Sequence, residues 1–274
     1  MKFSASNLAW DSNEEEDYFR CLVSNGFSGL EIAPTKFIGS NPYEESNRKR
    51  AVAKANLVKE KWGLSIASMQ SIWFGRTEQI FGSRLERARL IDYSEKAFEF
   101  AASINCSHIV FGNPKNRRLP RGIVPDDAGD FFLVCADLAK EYQLTVGLEP
   151  IPKSYGNEFL TTFEDAKNFI SSVGSPYIAL NYDTGTLFAN NENQAISLGF
   201  LNLASHIQIS EPGLVPITKR LEFPKISDLL LQSSFSGWIS IEMLDCGMKD
   251  FVSSLRTVKA DFGLLDMDNS EDLI

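Results

Sequence analysis

The chain contains only two histidines, His108 and His206, among its 274 residues. Sites that take three or more imidazoles from one chain, such as carbonic-anhydrase-type or multi-zinc centres, are therefore excluded. The four cysteines are widely spaced and form no C-x-x-C, which excludes zinc ribbons and dithiol redox motifs. A disulfide framework is not expected at this length and cysteine density, so we expect reduced thiols.

Long apolar runs and an excess of positive charge are also missing. No run approaches the roughly 18 residues of a membrane helix, and the first residues lack the apolar segment of a secretory signal. Lys plus Arg number 27 against 36 Asp plus Glu, which gives a formal net charge of −9. Nucleic-acid binders normally carry a basic field. We therefore expect a soluble, cytoplasmic protein that binds neither membranes nor nucleic acid.

Eight short apolar runs alternate with longer amphipathic stretches. The runs are continuously apolar, which is typical of parallel strands buried on both faces. The predicted strands are Lys2–Ser6, Gly29–Ala33, Leu64–Met69, His108–Phe111, Leu144–Glu149, Tyr177–Tyr182, His206–Ile209 and Trp238–Glu242. The predicted helices are Glu14–Ser24, Asn47–Trp62, Ser83–Ile104, Asp126–Tyr142, Thr162–Val173, Asn191–Leu203, Ile226–Gln232 and Lys249–Phe262.

This alternation predicts a single-domain α/β fold, a (β/α)8 TIM barrel. Eight strand–helix units suit the roughly 250 residues of such barrels. The competing architecture is an open doubly wound sheet, which normally carries a glycine-rich phosphate turn after an early strand. No G-x-G-x-x-G or G-K-[ST] motif occurs, so we prefer the closed barrel. We expect it to span residues 1–265, with a solvated acidic tail over 266–274.

Acidic side chains end several of the predicted strands. Such ends surround the active face of a barrel, and a carboxylate there is costly unless it is paired or binds a cation. Glu149, Asp183 and Glu242 each follow an apolar strand, and Gln208 ends the strand between the last two. Three carboxylates and an amide oxygen make a ligand set that suits Mg²⁺ or Mn²⁺. The alternative is a structural network of acids with Lys or Arg; four successive strand ends favour the shared site.

Five short segments occur in a characteristic order over nearly the whole chain. They are Gly26–Ile32, Gly147–Pro150, Leu180–Gly185, His206–Pro212 and Gly237–Met243. Together they resemble the xylose isomerase-like barrel superfamily, in its sugar phosphate isomerase/epimerase group. That group includes ketose 3-epimerases, hydroxypyruvate isomerase and inosose dehydratase, with endonuclease IV as a DNA-repair relative. The resemblance is specific for the superfamily and carries little information on the substrate.

The resemblance implies roles for the acids at the strand ends. Glu149 and Glu242 would bind a divalent metal, Mn or Mg, and act as an acid/base pair, with Asp183 as third ligand. The fourth ligand in the family is commonly a histidine, and Gln208 occupies that position. An amide oxygen is a weaker ligand than imidazole, so a lower affinity or another metal is expected. A register slip would offer His206 instead, but His206 lies one layer deeper at period two, so Gln208 is favoured.

The implied chemistry is proton transfer beside the carbonyl of a sugar, sugar acid or sugar phosphate, through an enediolate. Return of the proton to the opposite face gives an epimerase, and return to the neighbouring carbon gives an isomerase. A dehydratase or lyase on the same site is an alternative, because an enediolate can expel a β-hydroxyl. A catalytically impaired barrel that binds a carbohydrate-like ligand is another, since Gln208 and Thr186 replace two family histidines. A DNA-repair endonuclease fails on histidine count and charge.

Further substrate-binding candidates lie near the strand ends and on the loops after them. They are Trp10, Glu31, Gln70, Lys115, Arg117, Tyr155, His206 and Glu211. Trp10 and Tyr155 are expected either to wall the pocket or to pack in the barrel. Positive residues recur on these loops and predict either a rim for an anionic substrate or scattered surface charge. They are Arg76, Lys115, Arg117, Arg118, Lys153, Lys219 and Arg220. The resemblance also implies a homodimer.

Overall fold

The computed structural model describes residues 1–124 and 128–263, and within them it contains the predicted barrel. The strands are β1 Lys2–Ser6, β2 Gly29–Ile32, β3 Ser65–Met69, β4 His108–Phe111, β5 Thr145–Leu148, β6 Ile178–Asp183, β7 Ala204–Ile209 and β8 Trp238–Ile241. They are parallel and follow one another around the barrel in chain order. The barrel closes because β1 pairs with both β2 and β8.

Ten α-helices of the described residues connect the strands. They are α1 Glu15–Ser24, α2 Pro34–Ile38, α3 Glu45–Trp62, α4 Arg84–Ser103, α5 Gly129–Glu141, α6 Phe163–Val173, α7 Thr184–Asn190, α8 Leu198–Leu201, α9 Glu222–Gln232 and α10 Met248–Phe262. Apolar stripes of the long helices cover the barrel, as on α10, where Phe251, Leu255, Val258 and Phe262 are all buried at helical spacing.

The strands alternate between two different buried surfaces. On β7, Ile207 and Ile209 are fully buried apolar residues, whereas His206 and Gln208 between them are fully buried polar residues. Both polar side chains contact Glu31 of β2, which is not a neighbour of β7 in the sheet. Such a contact crosses the barrel interior, so the interior of this barrel is polar and the apolar residues face the helices.

The segment after β6 differs from the sequence prediction, which has a single helix over Asn191–Leu203. A helix instead begins directly at the strand end, because the side chain of Asp183 caps α7 by accepting from the backbone N–H of Thr186. Asn191 ends α7 in the left-handed conformation, with φ 56°. A 3₁₀ turn over Asn193–Ala195 and the short α8 fill the rest of the predicted span.

Two further predictions concern the ends of elements and of the chain. The first residues of the predicted helix Asp126–Tyr142 and the whole acidic tail over 266–274 lie outside the described residues. The short α2 was not predicted; Pro34 occupies its first position, where a missing N–H has no cost. Within the described residues, no helix is both long and apolar enough to cross a membrane.

Candidate active site

A cavity of about 200 Å³ opens at the carboxyl ends of the strands. Six of the residues predicted for the site line it, namely Gln70, Glu149, Tyr155, Asp183, Glu211 and Glu242. The other six do not line it, namely Trp10, Glu31, Lys115, Arg117, His206 and Gln208. We call Glu149, Asp183 and Glu242 the cavity acids.

Glu149 is placed by the joint between β4 and β5. It directly follows β5, and its backbone N–H donates to the carbonyl of Phe111 at the end of β4, at 3.3 Å. Gly112, the next residue, makes room for the carboxylate, because a Cβ at this position would collide with Glu149 Oε2. The glycine therefore allows the carboxylate to lie against the backbone of the neighbouring strand.

The cavity acids hold their protons more tightly than ordinary carboxyl groups. Burial, followed by the charge of Asp183, raises the pKa of Glu149 to about 8, although Arg117 opposes the shift. Burial and the charges of Glu31, Glu149 and Asp183 raise the pKa of Glu242 well above its ordinary value. The pKa of Asp183 is raised by burial as well, against the effect of its hydrogen bonds. Near neutral pH the site therefore holds protons as well as negative charge.

Asp183 is held by groups of the protein on both oxygens. Oδ2 accepts from the backbone N–H of Thr186 at 2.7 Å, and Oδ1 accepts from the hydroxyl of Ser210. Ser210 also accepts from the backbone N–H of Gly185 at 2.8 Å. The carboxylate thus joins the start of α7 to the loop after β7, which gives it a structural role in addition to its place in the cavity wall.

Glu31 is the centre of a hydrogen-bonded group inside the barrel, which we call the Glu31 network. Its four donors are Ser68 Oγ at 2.6 Å, His206 Nε2 at 2.7 Å, Gln70 Nε2 at 2.9 Å and Gln208 Nε2 at 2.9 Å. Burial raises the pKa of Glu31, but His206 and the other hydrogen bonds outweigh it, so the pKa lies below its ordinary value. Glu31 is therefore a charged carboxylate that is fully occupied by the protein and lies outside the cavity lining.

Both histidines belong to the interior rather than to the cavity wall. The ring of His206 is stacked on that of His108, with 4.8 Å between the centroids. Burial lowers the pKa of His108 well below its ordinary value, so this ring is neutral. Gly147 makes room for it, since a Cβ there would lie 2.8 Å from the His108 ring.

Three of the seven positive residues predicted to form a rim, Arg76, Arg117 and Arg220, are paired within the protein. Arg117 is buried and donates to the carbonyl oxygens of Phe111 and Glu149, so it ties β4 to β5 instead of facing the solvent. Arg220 donates to the carboxylate of Glu211. Arg76 donates to Glu78, whereas Lys115 remains exposed. Among the described residues that line the cavity there is no Lys or Arg.

The aromatic candidates separate into one core residue and one cavity residue. Trp10 is buried, with its ring stacked on Tyr18 of α1 at 5.2 Å and edge-on to Phe251 of α10 at 5.7 Å. Tyr155 is half-exposed in the cavity wall, and its hydroxyl accepts from the backbone N–H of Gly213 at 2.9 Å. Tyr155 therefore connects the loops that follow β5 and β7.

Two cavity residues with unusual backbone were absent from the predicted site. Ser71 and Asn113 have positive φ angles of 55° and 45°, and both line the cavity. Asn113 Oδ1 is buried and has no hydrogen-bond partner among the described residues. Strained backbone of this kind concentrates at functional sites. The available signal in the sequence was an asparagine two residues after a predicted strand, a residue type that tolerates the left-handed conformation.

The cavity does not form the four-ligand metal centre that the family resemblance implies. Gln208 does not line the cavity, and its Oε1 accepts from Asn181 Nδ2 at 2.5 Å. Both oxygens of Asp183 accept from protein donors. Within residues 1–124 and 128–263, no group of three or more His, Cys, Asp or Glu side chains is placed to hold a metal ion. The residues present therefore do not fit this centre.

Comparison with known proteins identifies the family of the chain. No curated protein matches its sequence. Its structure is similar to that of 3-keto-D-glucoside 4-epimerase from E. coli, at 21% identity and a TM-score of 0.73, over 95% of this chain and 99% of that chain. It is similar to D-psicose 3-epimerase from Clostridium cellulolyticum H10, solved with D-tagatose, at 14% identity and a TM-score of 0.73, over 96% and 98%.

A probable 3-DHS dehydratase from Bacillus anthracis is also similar, at 15% identity and a TM-score of 0.68, over 94% of this chain and 99% of that chain. Identities this low establish a common fold. The sequence pattern of the family described as Xylose isomerase-like TIM barrel matches residues 19–260. The chain therefore belongs to the xylose isomerase-like TIM barrel family.

Proposed function

We propose that this protein is an isomerase or epimerase that moves a proton on a carbohydrate by means of Glu149 and Glu242. The observation that carries the proposal is the pair itself: two glutamates from strand ends line one small cavity, and both have raised pKa values. Charges so close together repel, so the pair titrates in two steps, and the reactive form is the one in which one carboxyl group keeps its proton while the other is charged. A base and an acid are then present together, as proton transfer requires.

The proposed reaction begins at the carbon next to a substrate carbonyl. The charged glutamate takes the proton from this carbon, and the electron pair of the C–H bond forms the enediolate. The protonated glutamate then delivers its proton to the opposite face of the same carbon in an epimerase. In an isomerase it delivers the proton to the neighbouring carbon, and the hydroxyl proton of the enediolate passes from one substrate oxygen to the other. The two carboxyl groups exchange protonation states, so the reverse reaction starts from the form that the forward reaction leaves.

Asn113 is the proposed partner of the substrate oxygen. Its amide lies in the cavity wall with Oδ1 unpartnered, and its backbone is held in a left-handed conformation. A developing oxyanion needs a donor, so the proposed contact is made by Nδ2 of the same amide; a donor placed there stabilises the transition state more than the ground state.

The lining of the cavity supports an uncharged sugar as substrate rather than the anionic one considered from the loop charges. Four acids line the space, namely the three cavity acids and Glu211, and the described lining residues include no Lys or Arg to bind a phosphate. The volume of about 200 Å³ is below the roughly 300–1,000 Å³ of pockets that enclose drug-sized ligands. The names of two similar structures, a 3-keto-D-glucoside epimerase and a ketose 3-epimerase, support the same substrate class.

A dehydratase is the second candidate, and the similar structure of a probable dehydratase favours it. The first proton transfer is the same, but the enediolate then loses a β-hydroxyl as water, with the second glutamate as the acid. The two reactions differ in the mass of the product, because dehydration removes one water molecule and epimerisation leaves the mass unchanged.

The test is a panel of uncharged ketoses, aldoses and 3-keto sugars together with their phosphates, with products identified by NMR and mass spectrometry. We expect turnover of an uncharged sugar without change of mass, and loss of this turnover in the double variant Glu149→Gln/Glu242→Gln. A product lighter by one water would select the dehydratase. Equal turnover by the wild type and the double variant would refute the role of the two glutamates.

A further inference from the structure

We infer that the cavity of this protein has no resident divalent metal, because residue 208 is a member of the Glu31 network and not a cation ligand. The inference goes against the metal dependence that the family resemblance implies. It rests on the proposed function only for the roles of Glu149 and Glu242.

The orientation of the Gln208 amide is fixed by its two neighbours. A carboxylate has no hydrogen to donate, so Gln208 must turn Nε2 towards Glu31, at 2.9 Å. Its Oε1 then faces Asn181 and accepts from Nδ2 at 2.5 Å. Rotation of the amide by 180° would set Oε1 against the carboxylate, which is repulsive whatever Asn181 does. The only group of Gln208 that is able to bind a metal is therefore directed into the protein.

Freeing Gln208 would disturb more than one hydrogen bond. Glu31, Gln208 and Asn181 are fully buried, and each would lose a partner in a place that water does not reach. An unpaired polar group in such a place costs about 1–3 kcal/mol, and a charged one costs more. The network therefore holds the amide in place against the attraction of a cation in the cavity.

Asp183 has a similar constraint. Its carboxylate accepts from the backbone of Thr186 at the start of α7 and from Ser210 in the loop after β7. A turn towards the cavity centre would uncap α7 and leave Ser210 without its acceptor. This leaves Glu149 and Glu242 of the cavity acids, and the Gln70 side chain hydrogen-bonds the carboxylate of Glu242. Two carboxylates hold Mg²⁺ in proteins mainly when substrate phosphates complete the coordination, and the proposed substrate has none.

Without a metal, the negative charge that develops on the substrate oxygen must be stabilised by groups of the protein. In this cavity the charge is met by hydrogen-bond donors and by the proton of a glutamate, and Asn113 is the amide placed in the wall. The cavity acids then repel one another without a cation between them, and protons take the place of the cation.

The test measures metal binding directly and does not depend on a known substrate. The full chain is dialysed against EDTA and titrated with Mn²⁺, and free Mn²⁺ is followed by its electron paramagnetic resonance signal. We expect no stoichiometric site with a Kd below roughly 10⁻⁴ M, the range of weak oxygen-ligand sites. One Mn²⁺ per chain bound at micromolar Kd would overturn the inference.

Substitution of residue 208 gives the second arm. Gln208→His places an imidazole beside Glu31, and a carboxylate next to a ligating histidine is the arrangement that supports metal binding elsewhere. We expect Mn²⁺ affinity to rise at least about ten-fold over that of Gln208→Asn, which also loses the original contacts but gains no imidazole. Equal Mn²⁺ affinities of the two variants would refute the idea that residue 208 decides whether the cavity binds a divalent metal. Circular dichroism shows whether each variant is folded.

Activity in EDTA separates this inference from the proposed function. Turnover in EDTA that is lost in Glu149→Gln supports both. Turnover that requires Mn²⁺ and is lost in Glu149→Gln overturns the inference and leaves the glutamate pair in place. Absence of both Mn²⁺ binding and carbohydrate turnover leaves the inference standing and overturns the proposed function.

Discussion

Two groups of carboxylates meet inside one barrel and behave in opposite ways. Glu31 is fully buried, yet its pKa is lowered, because four hydrogen-bond donors surround it. Glu149 and Glu242 at the neighbouring cavity have raised pKa values. Burial acts in the same direction on all three, so hydrogen-bond donors together with neighbouring charges decide the outcome. A carboxylate with a full set of donors stabilises the fold, and one without them is left with a proton to exchange.

The two groups are also coupled. The charge of Glu31 raises the pKa of both Glu149 and Glu242. Gln70 links them physically, because its side chain lines the cavity and donates to Glu31. The interior network therefore supplies part of the field that keeps protons on the cavity acids, without contact between Glu31 and the cavity space.

The largest expected effect is on catalysis by the cavity pair. Glu149→Gln and Glu242→Gln each remove one proton-transfer group, and we expect kcat on the identified sugar to fall by about 10²–10⁴-fold. Glu78→Gln is the matched control, since it removes a carboxylate of the same type that pairs with Arg76 outside the cavity lining. Steady-state kinetics with all three variants checks the prediction, and a control that loses as much activity would contradict it.

The second largest expected effect is on stability, and it follows from a substitution that breaks the Glu31 network. Glu31→Gln leaves the donors of His206 and Gln208 without a charged acceptor, so we expect a loss of about 3 kcal/mol in the free energy of unfolding. Glu149→Gln, in contrast, relieves repulsion and is expected to leave stability unchanged or higher. Urea denaturation of the two variants side by side measures the difference. Equal losses of stability would mean that Glu31 and Glu149 contribute alike to the free energy of unfolding, which would contradict the prediction.

Asn113 gives a third, smaller effect. Asn113→Gly removes the amide but keeps a residue that adopts positive φ without strain, so the fold is preserved. We expect kcat to fall by about 10²-fold, the usual cost of one oxyanion donor, with little change in melting temperature. If KM rises while kcat stays the same, Asn113 only binds the substrate.

The smallest effect, when counted per pH unit, is a dependence of stability on pH. The pKa of Glu149 is about 8 in the folded protein against an ordinary value of 4.5, so between these values the folded chain binds more protons than the unfolded chain. The free energy of unfolding therefore falls as pH rises from about 5 to 8, and the stability that the proton provides is lost through the folded pKa. The advantage of Glu149→Gln over the wild type should grow over this range by about 1 kcal/mol per pH unit. Thermal melts at both pH values test this; an advantage that shrinks towards pH 8 would contradict it.

The barrel was predictable from the sequence because each strand is a continuous apolar run that marks its own position. The same property predicted Glu149, Asp183 and Glu242 at the common mouth, since the residue at the end of a parallel strand lies there, and all three line the cavity. Glu31 and Gln208 lie outside the cavity lining for a reason that local sequence patterns do not contain. They bind each other across the barrel, although they are 177 positions apart in the chain. The start of α7 likewise depends on the side-chain conformation of Asp183, which caps the helix. The spacing of apolar residues carries no information about that conformation.

The central claim, that Glu149 and Glu242 act on opposite faces of one substrate, is tested most directly by deuterium exchange. Each epimer of the identified sugar is incubated separately in D₂O with the wild type and with each single variant, and deuterium at the reacting carbon is followed by NMR. We predict that Glu149→Gln exchanges one epimer only and Glu242→Gln the other only, while neither variant interconverts them. Exchange of both epimers at the wild-type rate in both variants would contradict the account.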